Sequence, residues 1–248
     1  MKTDIENLTT EFERIKKLGW VKSMRKGTSG IGYTFERLIG KPEDYFNIPD
    51  YNSIEIKTKH RYSKGFITLF SAAPDGDTLF PIKRIVNKYG YPDKDFKECN
   101  IFNIAVNATS ITKVGYHKKF KINVNYEKEK IDFVAIDRFG NEIDTEVSWS
   151  FDMLKEKLER KLQYLSIVKA DSKIINGTEY LKYYEINFYK LKNFYCFLKL
   201  IENGIIIMKF KIGVFKKGPR KGKMHDRGTS FDINEKELLK LYEKISNW

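Results

Sequence analysis

Segments in which apolar residues recur at every second position follow one another along this chain, separated by stretches with helical spacing. A strand with one apolar face must bury it, so this pattern demands a sheet with helices packed on it. Strands are expected over 53–58, 66–71, 101–109, 120–126, 130–143, 163–174, 179–189 and 205–214, with Gly140–Asn141 as a turn. Ile5, Leu8, Phe12 and Ile15 predict a helix over 4–18 that Gly19 stops. Further helices are expected at Phe35, Leu38 and Ile39, over 81–89, from Ser150 to Leu162, over 192–202 and near 234–246. Helices come first and strands with interspersed helices follow, which gives an α/β (α+β) class with a largely mixed sheet. A chain of 248 residues with 18 Phe and 15 Tyr can bury one sizeable core or two lobes sharing one.

The charge balance points to the partner. Lys and Arg number 46 against 33 Asp and Glu, a formal net charge of +13, and such a surplus favours polyanions. The two cysteines, Cys99 and Cys196, form no metal spacing and no disulfide framework, and Cys196 reads as a core residue of an apolar helix. The first residues are charged and lack the apolar core of a signal peptide. No apolar run approaches the ~20 residues that span a bilayer, so a cytoplasmic location is expected. His60 and His117 stand alone. The GTSGIG loop lacks the Gly-Lys-Ser/Thr that closes a phosphate loop.

Chemistry concentrates in PDYNSIEIKT, residues 49–58. Side chains at i and i+2 of a strand share a face, so Glu55 and Lys57 point one way while Ile54 and Ile56 point to the core. Asp50 lies in the turn just before. Two carboxylates can hold a hard cation through oxygen, and a lysine beside them can orient a water and offset phosphate charge. The same pattern also describes a solvated strand face with an ion pair. Upstream, Glu36 sits on the helix that follows the glycine-rich turn in GTSGIGYTFERLIG.

WVKSMRKGTSGIGYTFERLIG followed by IPDYNSIEIKT resembles the MutH nicking nucleases and their relatives, the MvaI/BcnI restriction endonucleases. The similarity continues through SWSFDMLKEKLERKLQYLSIVKADSKI and KGKMHDRGTSFDIN, the latter favouring the MvaI/BcnI branch. The resemblance implies a PD-(D/E)xK nuclease core, a mixed sheet flanked by helices, with two lobes around a DNA cleft. It implies a single endonuclease domain over 1–248. Its catalytic lobe would span approximately 1–110 with parts of 140–175, and its DNA-recognition lobe approximately 176–248. It makes Asp50, Glu55 and Lys57 catalytic and Glu36 an upstream carboxylate, and it places Lys22 and Lys26 near the site as DNA contacts. Asp50, Glu55 and the Ile56 carbonyl would hold Mg²⁺.

For DNA reading, the 216–227 segment carries Lys217, Arg220, Lys221 and Lys223 among glycines that allow close backbone approach. Its composition is equally that of a solvated basic loop. His225, Asp226 and Arg227 follow, where the family's more typical form is His-Asp-His. Lys209 and Lys211 stand on the preceding strand, where an acidic–Arg pair is expected. The reading is a type II restriction endonuclease that acts on double-stranded DNA with Mg²⁺. It would act as a monomer without an obligate protein partner, nicking each strand in turn, with a cognate methyltransferase in the same system. The alternatives are a MutH-like repair nickase and a non-catalytic sequence-specific DNA-binding protein.

Overall fold

The structure, a computed structural model, describes residues 2–41, 48–76, 80–114 and 118–245. His117 and residues 42–47 of the turn-rich KPEDYFNIPDYN stretch lie outside them. In chain order the elements begin with α1 (Lys2–Lys17), β1 (Val21–Lys22), α2 (Gly30–Leu38), β2 (Ile54–His60), β3 (Phe66–Ser71), α3 (Phe80–Tyr89), β4 (Tyr91–Pro92) and β5 (Asn100–Val106). Then come β6 (Thr112–Val114), β7 (Lys118–Asn125), β8 (Lys130–Ile136), β9 (Glu142–Ser150), α4 (Phe151–Leu162), β10 (Tyr164–Ile175) and β11 (Thr178–Leu191). The chain finishes with α5 (Phe194–Glu202), β12 (Ile206–Val214), β13 (Met224–Asp226), β14 (Ser230–Asn234), a 3₁₀ turn at Glu235–Glu237, α6 (Leu238–Leu241) and β15 (Tyr242–Ile245).

The chain divides into two compact units. The first comprises Met1–Gly65, Lys157–Asn193 and Leu238–Trp248, and the second Phe66–Glu156 and Phe194–Glu237. The first unit holds one sheet in the order β1-β11-β10-β2, with β15 also on β11. Within it β2 and β10 run parallel, Glu55 opposite Leu165 and Lys57 opposite Ile167. All four apolar residues expected on α1 are buried, and they pack with Ile31 and Phe35 of α2 and Ile54 and Ile56 of β2. Tyr183 of β11 pins α2: its ring lies 5.2 Å from that of Phe35 and its hydroxyl donates to the Ile31 carbonyl at 2.8 Å.

The second unit carries a sheet ordered β3-β14-β12-β5-β4, with β13 on β12, and a further sheet ordered β6-β7-β8-β9. Phe102, Phe120, Phe133 and Phe210 pack edge to face, tilted or stacked in its core. Trp149 is fully buried and donates its indole N–H to the Ala72 carbonyl at 3.0 Å.

Sequence and structure part in several places. The helix expected near 234–246 is cut to α6, and Tyr242–Ile245 form a strand paired to β11. Pairing with an existing sheet edge overrides local propensity there. The basic loop expected over 216–227 contains β13, which pairs with β12. The parallel pairing is confined to β2 and β10; the other pairings among the described residues are antiparallel. The compact units divide the chain at Gly65–Phe66, Glu156–Lys157, Asn193–Phe194 and Glu237–Leu238, and β10 and β11 form one long hairpin within the first. Cys196 is half-buried rather than a core residue. No helix among the described residues is long and apolar enough to cross a membrane.

Candidate active site

The first unit gathers its acids and cations at the outer edge of β2. Tyr51 and Ile54 exchange backbone hydrogen bonds across a tight turn, and Asn52 takes the left-handed conformation the turn requires, at φ 49°. That turn folds Asp50 back so that its Oδ2 accepts the Ile56 N–H at 3.0 Å. N–H and C=O of one strand residue project to the same side, so the Ile56 carbonyl lies on the Asp50 side of β2.

Glu55 and Lys57 share a face as expected, with Lys57 Nζ 2.6 Å from Glu55 Oε1. Their exposures differ: Glu55 is 1% exposed, whereas the Lys57 side chain is 26% exposed. A second ammonium reaches the same carboxylate oxygen, Lys161 Nζ at 3.5 Å from the last turn of α4. Asp50 Oδ1 meets Lys41 Nζ at 2.5 Å.

Glu36 projects from α2 toward this group. It lines a cavity of about 320 Å³ together with Arg25, Gly32, Tyr33, Lys41, Asp50, Thr58 and Lys161. The glycines of the GTSGIG loop allow the approach. A Cβ on Gly30 would sit 2.5 Å from the Arg25 carbonyl oxygen, and one on Gly32 would sit 3.2 Å from Thr58 Oγ1. Burial and the adjacent Asp50 carboxylate push the Glu36 carboxyl up, against Lys41, Lys57 and Arg25. Burial also raises Asp50, but the Lys41 ammonium and the Ile56 N–H outweigh it and hold Asp50 below the usual carboxylate value. Glu55 goes the other way: burial, with Asp50, raises it despite Lys57 and Lys161.

The donor set suits a hard divalent cation. Glu55 Oε2 is buried and has no hydrogen-bond partner, an expensive state for a carboxylate oxygen unless a cation takes it. Among the described residues no three His, Cys, Asp or Glu side chains converge as a metal cluster. The set is therefore two carboxylates, Asp50 and Glu55, completed by the Ile56 carbonyl oxygen, with Glu36 nearby.

The profile of the MvaI/BcnI restriction endonuclease family matches residues 9–242. The chain belongs to that family. It is thereby a restriction endonuclease, a site-specific deoxyribonuclease, and such enzymes generally use divalent metal ions. Among solved structures, one described as a restriction endonuclease MvaI–cognate DNA substrate complex is 35% identical, with 98% of each chain covered and a TM-score of 0.89. Restriction endonuclease MvaI in the absence of DNA is 32% identical over 98% of this chain and 97% of that one, with a TM-score of 0.61. No curated protein matches.

The basic candidates of this endonuclease are distributed over both units. Lys22 and Lys26 line a cavity of about 520 Å³ beside Ile174 and Thr178 rather than the acidic one, and Arg25 lines both. In the second unit the 216–223 segment is a folded hairpin loop. Phe215 N–H donates to the Lys223 carbonyl and Gly222 N–H to the Phe215 carbonyl. Lys217, Arg220, Lys221 and Lys223 are exposed on it. Arg220 lies 4.2 Å over the Phe215 ring. His225 stacks on Phe215 at 3.9 Å. Asp226 Oδ1 caps the Gly228 N–H, and the Arg227 N–H donates to the Lys211 carbonyl. Lys41 and Lys161 escaped the sequence reading. Nothing local marks Lys161: only the parallel pairing of β10 with β2 brings the end of α4 to Glu55.

Proposed function

We propose that the chain is a Mg²⁺-dependent type II restriction endonuclease whose first unit cuts and whose second unit reads a short duplex DNA site. The observation that carries this is the buried Glu55 carboxylate, clasped by Lys57 and Lys161 beside Asp50, with its second oxygen unpartnered. Asp50, Glu55 and the Ile56 carbonyl would hold the ion. Bound there, Mg²⁺ supplies Lewis acidity that polarises the scissile phosphate and acidifies water.

The rest is done by the chain's own groups. Lys57, the more exposed member of the strand pair, orients the attacking water through its N–H donors. Lys161 and Lys41 bring positive charge to an otherwise triply acidic pocket, so the dianionic transition state meets compensated ground. Glu36 positions the neighbouring cations. The enzyme acts as a cytoplasmic monomer that nicks one strand and then the other, and a cognate methyltransferase protects the host's sites.

Digestion of a fully sequenced phage DNA with Mg²⁺, with fragment ends mapped, tests this directly. Discrete fragments sharing one short sequence at their ends are expected; random ends or intact DNA overturn the reading. With Ca²⁺ in place of Mg²⁺, the enzyme is expected to bind its site and leave it uncut, since Ca²⁺ is larger and more loosely coordinated. Cleavage at the same rate in Ca²⁺ would remove the metal role.

Exchanging Lys217 and Lys221 for glutamine addresses the second unit. Binding is expected to weaken on all sequences, and the slope of log affinity against log salt to flatten by about one per lysine. An unchanged slope returns that loop to an ordinary solvated surface.

A further inference from the structure

On the face of the β12 sheet opposite its aromatic core, one ion pair has more hydrogen-bonding capacity than partners. β12 alternates without a break: Met208, Phe210 and Ile212 are buried, and Lys209 and Lys211 face the other way. Lys209 stands directly across from Ser230 of β14. Its Nζ is 2.9 Å from Asp232 Oδ2 and 4.4 Å from the centre of the Phe66 ring. Asp232 is 3% exposed and Ser230 0%. Asp232 Oδ1 and Ser230 Oγ are both buried without a hydrogen-bond partner. A carboxylate with half its oxygens unmet, next to an unmet hydroxyl, is costly to hold in a folded chain. Neither the cutting chemistry nor the core requires it there.

We infer that Lys209 and Asp232 read one G·C base pair of the target as a unit, an inference that rests on the duplex-reading role proposed for this part of the chain. In the major groove guanine shows two adjacent acceptors, O6 and N7, and its cytosine partner shows the N4–H₂ donor beside them. An ammonium held 2.9 Å from one oxygen of a carboxylate whose other oxygen is unpartnered complements that edge. Lys209 donates to the guanine acceptors and Asp232 Oδ1 accepts from cytosine. Adenine places a donor between the acceptors of its pair and thymine adds a methyl group, so an A·T pair offers no two acceptors side by side.

The layering gives the order of events. The Lys209 side chain is 29% exposed and the Asp232 side chain 5%, so guanine meets the ammonium first. Drawing the lysine toward guanine uncovers Asp232 for the cytosine amino group. Ser230, fully buried opposite Lys209, lies on the same face of the sheet.

Selection of bound duplexes from a pool randomised across the target site, in Ca²⁺, tests the pairing. The wild-type protein is expected to fix a G·C pair at one position that Asp232→Asn and Lys209→Met both relax. Each should lower the preference there about tenfold or more, with the remaining positions still selected. Variants that relax different positions, relax all positions alike, or relax none overturn the inference. Should Asp232→Asn fail to fold, a Lys209→Met protein that keeps its full preference overturns it equally, and one that loses only that position supports it. Selection of a site that Mg²⁺ does not then cut removes the nuclease reading and leaves this one standing. Cutting without selection does the reverse.

Discussion

Lys57→Ala is expected to slow cleavage about 10³-fold while the Kd for the target duplex stays within a few-fold. The asymmetry follows from where the ammonium is. Lys57 Nζ lies 2.6 Å from Glu55 and its side chain is only 26% exposed, so on the proposed mechanism it would touch the reacting centre and contribute little to a broad basic surface for DNA. That surface draws on a surplus of positive charge totalling +13, of which one lysine is a small part. Its loss also leaves Lys161 Nζ, at 3.5 Å, beside the Glu55 carboxylate. Lys161 comes from a helix end rather than from β2, so it would neutralise the carboxylate without taking over the water-orienting role proposed for Lys57. Single-turnover cleavage and filter binding on one duplex separate the two quantities. Weakened binding with an undiminished single-turnover rate would take Lys57 out of the chemistry.

Much of the first unit could be read from residues alone, because its signals are local. Ile5, Leu8, Phe12 and Ile15 declare α1 by spacing, and Ile54 and Ile56 declare the core face of β2, which leaves Glu55 and Lys57 together on the other. Asp50 is legible as a turn residue, but its bond to the Ile56 N–H is not, since it depends on the left-handed Asn52. What stayed hidden depends on partners far along the chain. Lys161 reaches Glu55 only because β10 pairs parallel to β2. Tyr242–Ile245 follows a helix and continues its apolar spacing, yet becomes a strand because β11 offers an edge. The pairing of Lys209 with Asp232 crosses from β12 to β14 and has no sequence signature of its own.

Neutralising the two acids that would hold the ion is expected to abolish cleavage in both cases, by about 10³-fold or more, and to move stability in opposite directions. Asp50 is held below its ordinary value of 3.8: burial raises it, but Lys41 and the Ile56 N–H prevail. Its charged form is thus favoured by folding, a contribution present above pH 3.8 and lost as pH falls through the lower folded value. Asp50→Asn should cost about 1–2 kcal/mol at neutral pH. Glu55 is held above its ordinary value of 4.5, chiefly by burial and also by Asp50, despite its two lysines. Between 4.5 and that higher folded value the native chain binds more protons than the unfolded one, so stability falls as pH rises through the window. Glu55→Gln removes that loss. In EDTA at pH 7.5 the glutamine variant is expected to melt above wild type and the asparagine variant below it. The Glu55 gap should close on acidification below 4.5. Adding Mg²⁺ should then raise the melting temperature of wild type and of neither variant, because a ligand stabilises only the fold that binds it. A Glu55→Gln protein that melts lower than wild type in EDTA would mean that its carboxylate serves the fold as an anchor for Lys57 and Lys161. The case for a metal ligand kept at the expense of stability would then fail.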